Sequence, residues 1–241
     1  MPVSGLNSNC LGKAMRVGKL HPWDVDYGHA RAIQASLQKK LVLKAGPKSI
    51  ARVAGADVAY CRKTNQVYAA VLVFSYPDLE LLESCFSRGE ASFPYIPGLL
   101  TFREAPVLME AFEQVTGPPD LVVFDGQGIA HPRRLGLASH CGILLDLPSI
   151  GCAKSRLVGE HKAVGEKKGA YRLLHFQGET VGAVVRTRGG VKPVYVSPGH
   201  LTDVRSAMGF VLSMTRGYRL PEPTRQAHQG VTGYRKSGSL S

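Results

Sequence analysis

The chain has 241 residues, of which 44% are hydrophobic, so it can bury a substantial core and is not a globally disordered protein. Its 30 lysines and arginines outnumber 18 aspartates and glutamates, and the formal net charge of +12 favours a polyanionic partner such as nucleic acid. The five cysteines form no C-x-x-C pair, and no segment approaches the roughly 18 apolar residues of a membrane span. We therefore expect a cytoplasmic protein with reduced thiols and no membrane contact, and we take it to be a monomer.

The first half of the chain is predicted to contain a leader, a helix and an antiparallel meander. Residues 1–22 show no hydrophobic period and are predicted to form a flexible leader. A helix follows from Asp24, which can act as its N-cap, and it buries Ala30, Ile33 and Leu37 along one face. Three strand-like runs separated by turn-forming residues suit a meander at residues 49–60, 66–75 and 79–88.

The second half of the chain alternates helices and strands. A helix is predicted at residues 103–116, and the wholly apolar run Leu121-Val-Val-Phe124 after it is typical of a strand buried on both faces. The further elements are a helix at 133–145, strands at 149–153, 171–176, 180–186 and 194–197, and a helix at 204–212. This order predicts a single α/β domain over residues 23–228, with a mixed central β-sheet flanked by helices, and a flexible tail at 229–241.

Three carboxylates occupy apolar or glycine-rich surroundings. Asp57 lies inside a predicted strand, where a buried carboxylate requires a cation or firm hydrogen-bond donors. Asp125 follows a buried strand and enters a Gly-x-Gly turn, and Glu104 lies at a helix start. A salt bridge, a turn cap and a favourable position in the helix dipole are their ordinary alternative roles. Together, however, three oxygen ligands suit Mg²⁺ or Mn²⁺, and such ions support phosphodiester hydrolysis.

Six segments resemble the signature segments of the endonuclease V family, the deoxyinosine-specific repair nucleases. They follow one another in the family's order at residues 53–60, 93–104, 123–133, 149–156, 196–203 and 219–228. The resemblance implies an RNase H-like fold, in agreement with the strand pattern. It also implies a deoxyribonuclease V of DNA repair, which uses Mg²⁺ to hydrolyse the second phosphodiester bond 3′ to an inosine. The products carry 3′-hydroxyl and 5′-phosphate ends, and Mn²⁺ is expected to substitute for Mg²⁺.

The resemblance implies catalytic roles for five residues. Asp57, Glu104 and Asp125 match the carboxylates that hold the metal in the family. Lys154 matches the active-site lysine, which contacts the scissile phosphate or steers the attacking water. His228 matches a histidine near the metal.

The resemblance also implies a strand-separating wedge and a pocket for the extruded hypoxanthine. Tyr95 of the wedge can stack where a base has left the helix and recover part of the unstacking free energy, although a proline-rich turn with a packed tyrosine is the plain alternative. The wedge comprises Pro94, Tyr95, Ile96 and Pro97. Main-chain groups form the base pocket around Gly98, Leu100, Gly126 and Leu137, and His131 lies beside the site.

The charge distribution supports a nucleic-acid partner but leaves two other functions open. The segment from His131 to Arg172 contains eight lysines and arginines but only three acidic residues, which predicts a groove that follows a phosphate backbone. Inosine in RNA is one alternative substrate, since the residues near a 2′-hydroxyl are not identifiable from the sequence. A non-catalytic nucleic-acid-binding module is the other alternative, and the three carboxylates argue against it because acids weaken phosphate binding.

Overall fold

An eight-stranded mixed β-sheet forms the centre of the computed structural model, which describes residues 14–238. The strands are β1 (Arg52–Cys61), β2 (Gln66–Ser75), β3 (Leu81–Glu90), β4 (Leu121–Phe124), β5 (Ser149–Ala153), β6 (Tyr171–Phe176), β7 (Glu179–Val185) and β8 (Val194–Pro198). The helices are α1 (Tyr27–Gln38), α2 (Leu100–Glu113), α3 (Leu137–Leu145), α4 (Val204–Ser213) and α5 (Glu222–Gly238). Within residues 14–238, no helix is both long and apolar enough to cross a membrane.

Both faces of the sheet are covered, and side chains alternate between two cores. Val122 and Phe124 of β4 belong to the core beneath α2 and α3. Leu121 and Val123 of the same strand belong to the core beneath α4 and α5. Because both faces of β4 are buried, every residue of the strand is apolar, as the sequence predicted.

The strand order is β3-β2-β1-β4-β5-β8-β7-β6. β1 pairs in parallel with β4 and β4 with β5, whereas the other neighbouring strands are antiparallel. This mixed sheet, flanked by helices, confirms the predicted α/β class and the RNase H-like fold. Ala56 of β1 lies opposite Phe124 of β4, so the parallel register brings Asp57 and Asp125 to the same edge of the sheet.

The helix predicted at residues 103–116 begins and ends three residues earlier, as α2. Two other helix starts were predicted too early in the chain, and local backbone chemistry explains both. Helix α1 begins at Tyr27 with Asp26 as its N-cap, rather than at Asp24, and the Asp26 carboxylate accepts a hydrogen bond of 2.8 Å from the His29 amide. Helix α3 begins at Leu137, not at residue 133. Arg134 has a φ of +55°, a left-handed conformation that no α-helix accommodates.

The predicted leader is only partly within the described residues, since residues 1–13 lie outside them. Residues 14–22 contain no helix or strand, but they pack on the domain. Met15 is buried, and its amide donates to the Val115 carbonyl at 2.9 Å. The Gly18 amide donates to the Leu144 carbonyl at 2.7 Å. These contacts attach part of the predicted leader to the domain.

The predicted tail from residue 229 is wrong as far as residue 238, because α5 continues through it. Thr224, Ala227 and Val231 are fully buried at helical spacing, and Tyr234 continues the stripe against the ring of Tyr68. The glycines, serines and charged residues of this segment conceal that narrow stripe in the sequence. Residues 239–241 lie outside the described residues.

Candidate active site

Asp57, within β1, and Asp125, directly after β4, lie side by side where the parallel pairing of these two strands ends. The Asp125 amide donates to the Ala56 carbonyl at 3.0 Å, which extends the parallel ladder up to the carboxylates. Their side chains are only 8% and 11% exposed. One oxygen of each carboxylate and one ring nitrogen of His228 lie within 4.8 Å of one another. The structure therefore brings together two of the predicted carboxylates and the predicted histidine.

Helix α5 delivers His228 to this edge. Its first turn lies against β1 at Gly55, where an added Cβ would come within 2.0 Å of the Pro223 carbonyl oxygen. Only glycine permits this approach, and it places His228 next to Asp57, two residues further along β1. His228 Nδ1 lies 2.7 Å from Asp57 Oδ2. The sequence suggested His228 by resemblance but not the helix that carries it.

Lys154 follows β5 directly and reaches the same carboxylates. Its ammonium group donates to Asp125 Oδ2 and lies 3.4 Å from His228 Nδ1. The Arg219 guanidinium donates a hydrogen bond of 2.5 Å to the Lys154 carbonyl, and this contact fixes the backbone at the end of β5. Lys154, Asp125, His228 and Asp57 therefore form one continuous polar chain across four neighbouring elements, β5, β4, α5 and β1.

Glu104 is the fifth residue of α2, is half-buried and is not part of the 4.8 Å group. Burial, together with the negative charges of Asp57 and Asp125, raises the pKa of Glu104 to about 8. Burial and the charge of Asp125 likewise raise the pKa of Asp57 to about 6. Three carboxylates therefore share a poorly hydrated space, where their repulsion favours a proton or a cation.

The donor set fits a hard divalent cation. Carboxylate oxygens of Asp57 and Asp125 lie close together with a single imidazole, Glu104 of α2 is near enough to repel both, and no thiol belongs to the group among residues 14–238. Burial is the largest cause of the raised pKa values of Asp57 and Glu104, and repulsion between the carboxylates adds to it. A divalent ion would supply the missing positive charge.

A cavity of about 400 Å³ joins the carboxylates to the predicted recognition residues. Its lining includes Glu104, Asp125 and Lys154 together with the predicted Tyr95, Pro97, Gly98, Leu100, Gly126, His131 and Leu137. Pro94 and Ile96 do not line it. Pro94 is exposed beside Tyr95, whereas Ile96 packs against Phe93, Leu99 and Phe102 and so supports the loop from below. The structure therefore groups most of the predicted substrate-binding residues in one cavity.

The loop that carries Tyr95 is anchored through the Gly98 carbonyl. This oxygen accepts hydrogen bonds from Gln34 Nε2 at 3.0 Å and from an Arg133 Nη at 2.6 Å. His131 Nε2 lies 3.0 Å away, and because His131 Nδ1 accepts from the Arg133 amide, Nε2 is the protonated nitrogen that donates. Gly98 has a φ of +79°, which favours glycine at this anchor. Tyr95, by contrast, is 70% exposed.

Sequence reasoning missed Gln34 and Arg133. Gln34 is fully buried on the apolar face of α1, between Ala30 and Leu37, and its side-chain oxygen also accepts from Arg133 Nε. A polar residue within an apolar helix face was the available signal, because a buried amide requires partners. Burial lowers the pKa of His131 to about 4, and the charge of Arg133 acts in the same direction. The His131 imidazole is therefore uncharged near pH 7.

Comparisons with known proteins bear directly on this arrangement. The sequence model of the endonuclease V family matches residues 35–229. The chain is 49% identical to the endonuclease V of Dehalococcoides mccartyi over 214 residues, which cover 89% of this chain and 96% of the relative. The crystal structure of Streptomyces avermitilis endonuclease V superposes with a TM-score of 0.86 at 38% identity and covers 94% of this chain and 99% of that one.

A more distant structure shares the fold. It is the endonuclease V of Ciona intestinalis, solved with a 24mer DNA that contains an inosine followed by a ribo-adenosine. Its TM-score is 0.75 at 23% identity, and the match covers 87% of this chain and 98% of that one. The family match, the close relatives and the carboxylate edge described above lead to one conclusion: the chain belongs to the endonuclease V family of nucleases.

Proposed function

We propose that this protein is a Mg²⁺-dependent endonuclease that recognises inosine in DNA and hydrolyses the second phosphodiester bond 3′ to it, in DNA repair. The products would carry 3′-hydroxyl and 5′-phosphate ends. The observation that carries the proposal is the cavity that holds Glu104, Asp125 and Lys154 at one end and the surroundings of Gly98 and Leu137 at the other. If the inosine base enters the part of the cavity around Gly98 and Leu137, the backbone of its strand would run past the carboxylates.

Asp57, Asp125 and Glu104 would hold the ion. A bound Mg²⁺ or Mn²⁺ supplies an activated water and stabilises the leaving oxygen of the phosphodiester. His228 contacts Asp57 and keeps that carboxylate oriented towards Asp125. Lys154, which contacts Asp125 in the free protein, is positioned to turn its ammonium group towards the scissile phosphate.

The base pocket would read hypoxanthine through neutral groups. Its walls include the backbone at Gly98 and Gly126 and the side chain of Leu137, which lies against Gly126. Main-chain donors and acceptors can distinguish the N1–H and O6 of hypoxanthine from the N1 and N6 amino group of adenine. Tyr95, exposed above this pocket, would stack on the bases that flank the extruded nucleotide.

Inosine in RNA is a second candidate substrate. The groups that border the pocket at Gly98, Gly126 and Leu137 face a base, and none of the contacts described depends on the sugar. Binding without catalysis is the weaker alternative, because clustered carboxylates at Asp57, Asp125 and Glu104 oppose phosphate binding unless a cation joins them.

The test is a nicking assay on matched 30-nucleotide strands, DNA and RNA, each with one inosine or one adenosine. We expect metal-dependent cleavage of the inosine strands alone, with the cut mapped one nucleotide beyond the lesion. Ca²⁺ should permit binding with little cleavage. Asp125→Asn should abolish nicking, whereas Asp78→Asn, at an exposed turn position, should not. Normal nicking by Asp125→Asn in Mg²⁺, or equal cleavage of adenosine strands, would contradict the proposal.

A further inference from the structure

A second cavity, of about 440 Å³, lies on the other side of Tyr95. It is lined by Tyr60, Arg62, Tyr95, Leu100, Arg103 and Glu104. Tyr95, Leu100 and Glu104 also line the first cavity, so these three side chains form the partition between the two. A group bound in the second cavity would therefore touch the wedge tyrosine and lie beside one of the carboxylates.

Two guanidinium groups give the second cavity its character. The Arg103 guanidinium lies 4.0 Å from the centroid of the Tyr60 ring and donates to the Phe93 carbonyl at 3.3 Å, so it is held in place. Arg62 follows β1 directly and is exposed. Neither arginine forms a salt bridge with any carboxylate in the described part of the chain. The cavity therefore offers two cations without a salt bridge among the described residues, although the charge of Arg103 does act on the neighbouring Glu104.

We propose that this second cavity is a nucleotide subsite, in which Arg62 and Arg103 bind a backbone phosphate of the nucleic acid beside the ring of Tyr60. Guanidinium groups match phosphate oxygens in geometry, and Tyr60 and Tyr95 offer aromatic surface for the attached base. This inference rests on the proposed function, because it extends the path of the bound strand past the carboxylates.

The neighbouring carboxylate indicates that the ligand is part of a polymer. A carboxyl group in the wall offers no attraction to a small free anion, whereas a phosphate in a strand is brought there by contacts made elsewhere. The subsite has two possible sources of that phosphate. It lies either in the cleaved strand beyond the carboxylates or in the complementary strand on the far side of the Tyr95 wedge.

The experiment measures the affinity of the full chain for DNA in Ca²⁺ over a series of salt concentrations. Arg62→Ala is compared with wild type and with Arg205→Ala, which removes an exposed arginine of α4 that lines neither cavity. Each protein is tested on an inosine duplex, on the inosine strand alone and on the same strand with adenosine. Wild-type nicking of the inosine duplex in Mg²⁺ is measured in parallel.

We expect Arg62→Ala to bind about five- to tenfold more weakly than Arg205→Ala and to lower the slope of log Kd against log salt by about 1. Arg62→Lys, which keeps the charge, should restore most of the slope. If affinity falls on both single strands and on the duplex, the phosphate belongs to the cleaved strand. If affinity falls on the duplex alone, the phosphate belongs to the complementary strand.

Two further results keep the two proposals apart. An Arg62→Ala protein that matches Arg205→Ala in affinity and slope on all three substrates would overturn the subsite, whatever the nicking assay shows. Absence of inosine-specific nicking by the wild type would instead contradict the proposed function. The salt slopes on the duplex and on the adenosine strand would together still decide whether Arg62 contacts a phosphate, because that contact does not depend on the base.

Discussion

The carboxylate edge and the wedge loop border the same cavity, yet they are built in different ways. Asp57 lies within β1, Asp125 directly follows the parallel strand β4, and both side chains are almost wholly buried. Tyr95 projects from a loop with two prolines and is 70% exposed. The loop is tied to the domain mainly below the tyrosine, at the Gly98 carbonyl and through Ile96.

This difference suits two different tasks. Hydrolysis requires oxygen atoms held to within a fraction of an ångström, which adjacent strands of a sheet provide. Wedge insertion requires an aromatic ring that reaches away from the protein surface, which a stiff loop on a fixed base provides. Variants at the two regions should therefore fail in different measurements.

The largest effect is expected at the carboxylate edge, for Lys154→Ala. Removing the ammonium group that contacts Asp125 should lower kcat for nicking about 100-fold or more, because the positive charge beside the scissile phosphate is lost. The preference for inosine over adenosine should not change. Single-turnover nicking assays on both substrates measure the two quantities. Lys162→Ala, an exposed lysine outside the cavity, is the control, and a Lys154→Ala enzyme with near-normal kcat would refute the role.

The wedge loop should show the opposite pattern in Tyr95→Ala. Stacking of an aromatic ring on an unpaired base contributes about 1–3 kcal/mol, so the preference for inosine should fall about tenfold or more. The Mg²⁺ concentration that gives the half-maximal rate should stay unchanged, since Tyr95 offers no ligand to the carboxylate edge. Tyr171→Ala, at an exposed tyrosine of β6, controls for the loss of a surface ring. If Tyr95→Ala kept the full preference for inosine over adenosine, the wedge role of Tyr95 would be refuted.

A smaller effect is expected from the anchor beneath the wedge, in Gln34→Leu. This change removes one donor to the Gly98 carbonyl and the acceptor for Arg133 Nε, each hydrogen bond contributing about 1 kcal/mol. The preference for inosine should fall about fivefold, with little effect on metal dependence. Gln38→Leu, at an exposed position one turn further along α1, is the matched control.

A second substitution separates the two contacts of Gln34. Gln34→Glu keeps the acceptor for Arg133 but loses the donor to Gly98. If the Gly98 contact positions the wedge, Gln34→Glu should lose as much preference for inosine as Gln34→Leu. If both variants kept the full preference for inosine and lost only thermal stability, the role of Gln34 would be limited to stabilising the fold.

Local sequence predicted the carboxylate edge better than its surroundings. The apolar run that forms β4 lies between Pro119 and Gly126, and β5 begins directly after Pro148, so these limits, and the position of Asp125 just after β4, follow from neighbouring residues. Asp57 likewise belongs to a strand that its own composition indicates. Parallel pairing of these strands then places both carboxylates at one edge.

The remaining contacts depend on segments far apart in the chain. Gln34 and Gly98 are 64 positions apart, and neither sequence context indicates the other. Helix α5 has a polar composition and is stabilised by its close packing at Gly55 of β1, 168 positions before Pro223. Such contacts follow from the tertiary fold rather than from local propensity, which is why residues 229–238 were predicted as a tail.

The smallest effect concerns stability rather than activity, and it isolates the crowding of the carboxylates. Glu104 has a pKa of about 8 in the folded protein and about 4.5 when unfolded, so the folded state binds the proton more tightly and loses stability as the pH rises through 8. The window from pH 7 to 8.5 lies above the pKa of Asp57, about 6, and above the range in which His131 titrates. Within it, the Glu104 proton accounts for about 1 kcal/mol.

Urea unfolding at pH 7 and pH 8.5, with a chelator present, tests this linkage. The free energy of unfolding of the wild type should fall more across the window than that of Glu104→Gln, whose side chain carries no charge at either pH. Glu90→Gln, at the exposed end of β3, should behave as the wild type does. Millimolar Mg²⁺ should reverse the difference, because a cation that binds the ionised carboxylates stabilises the folded state more as the proton leaves. Equal pH dependence in the wild type and Glu104→Gln would mean that Glu104 is not held in the repulsive field of Asp57 and Asp125.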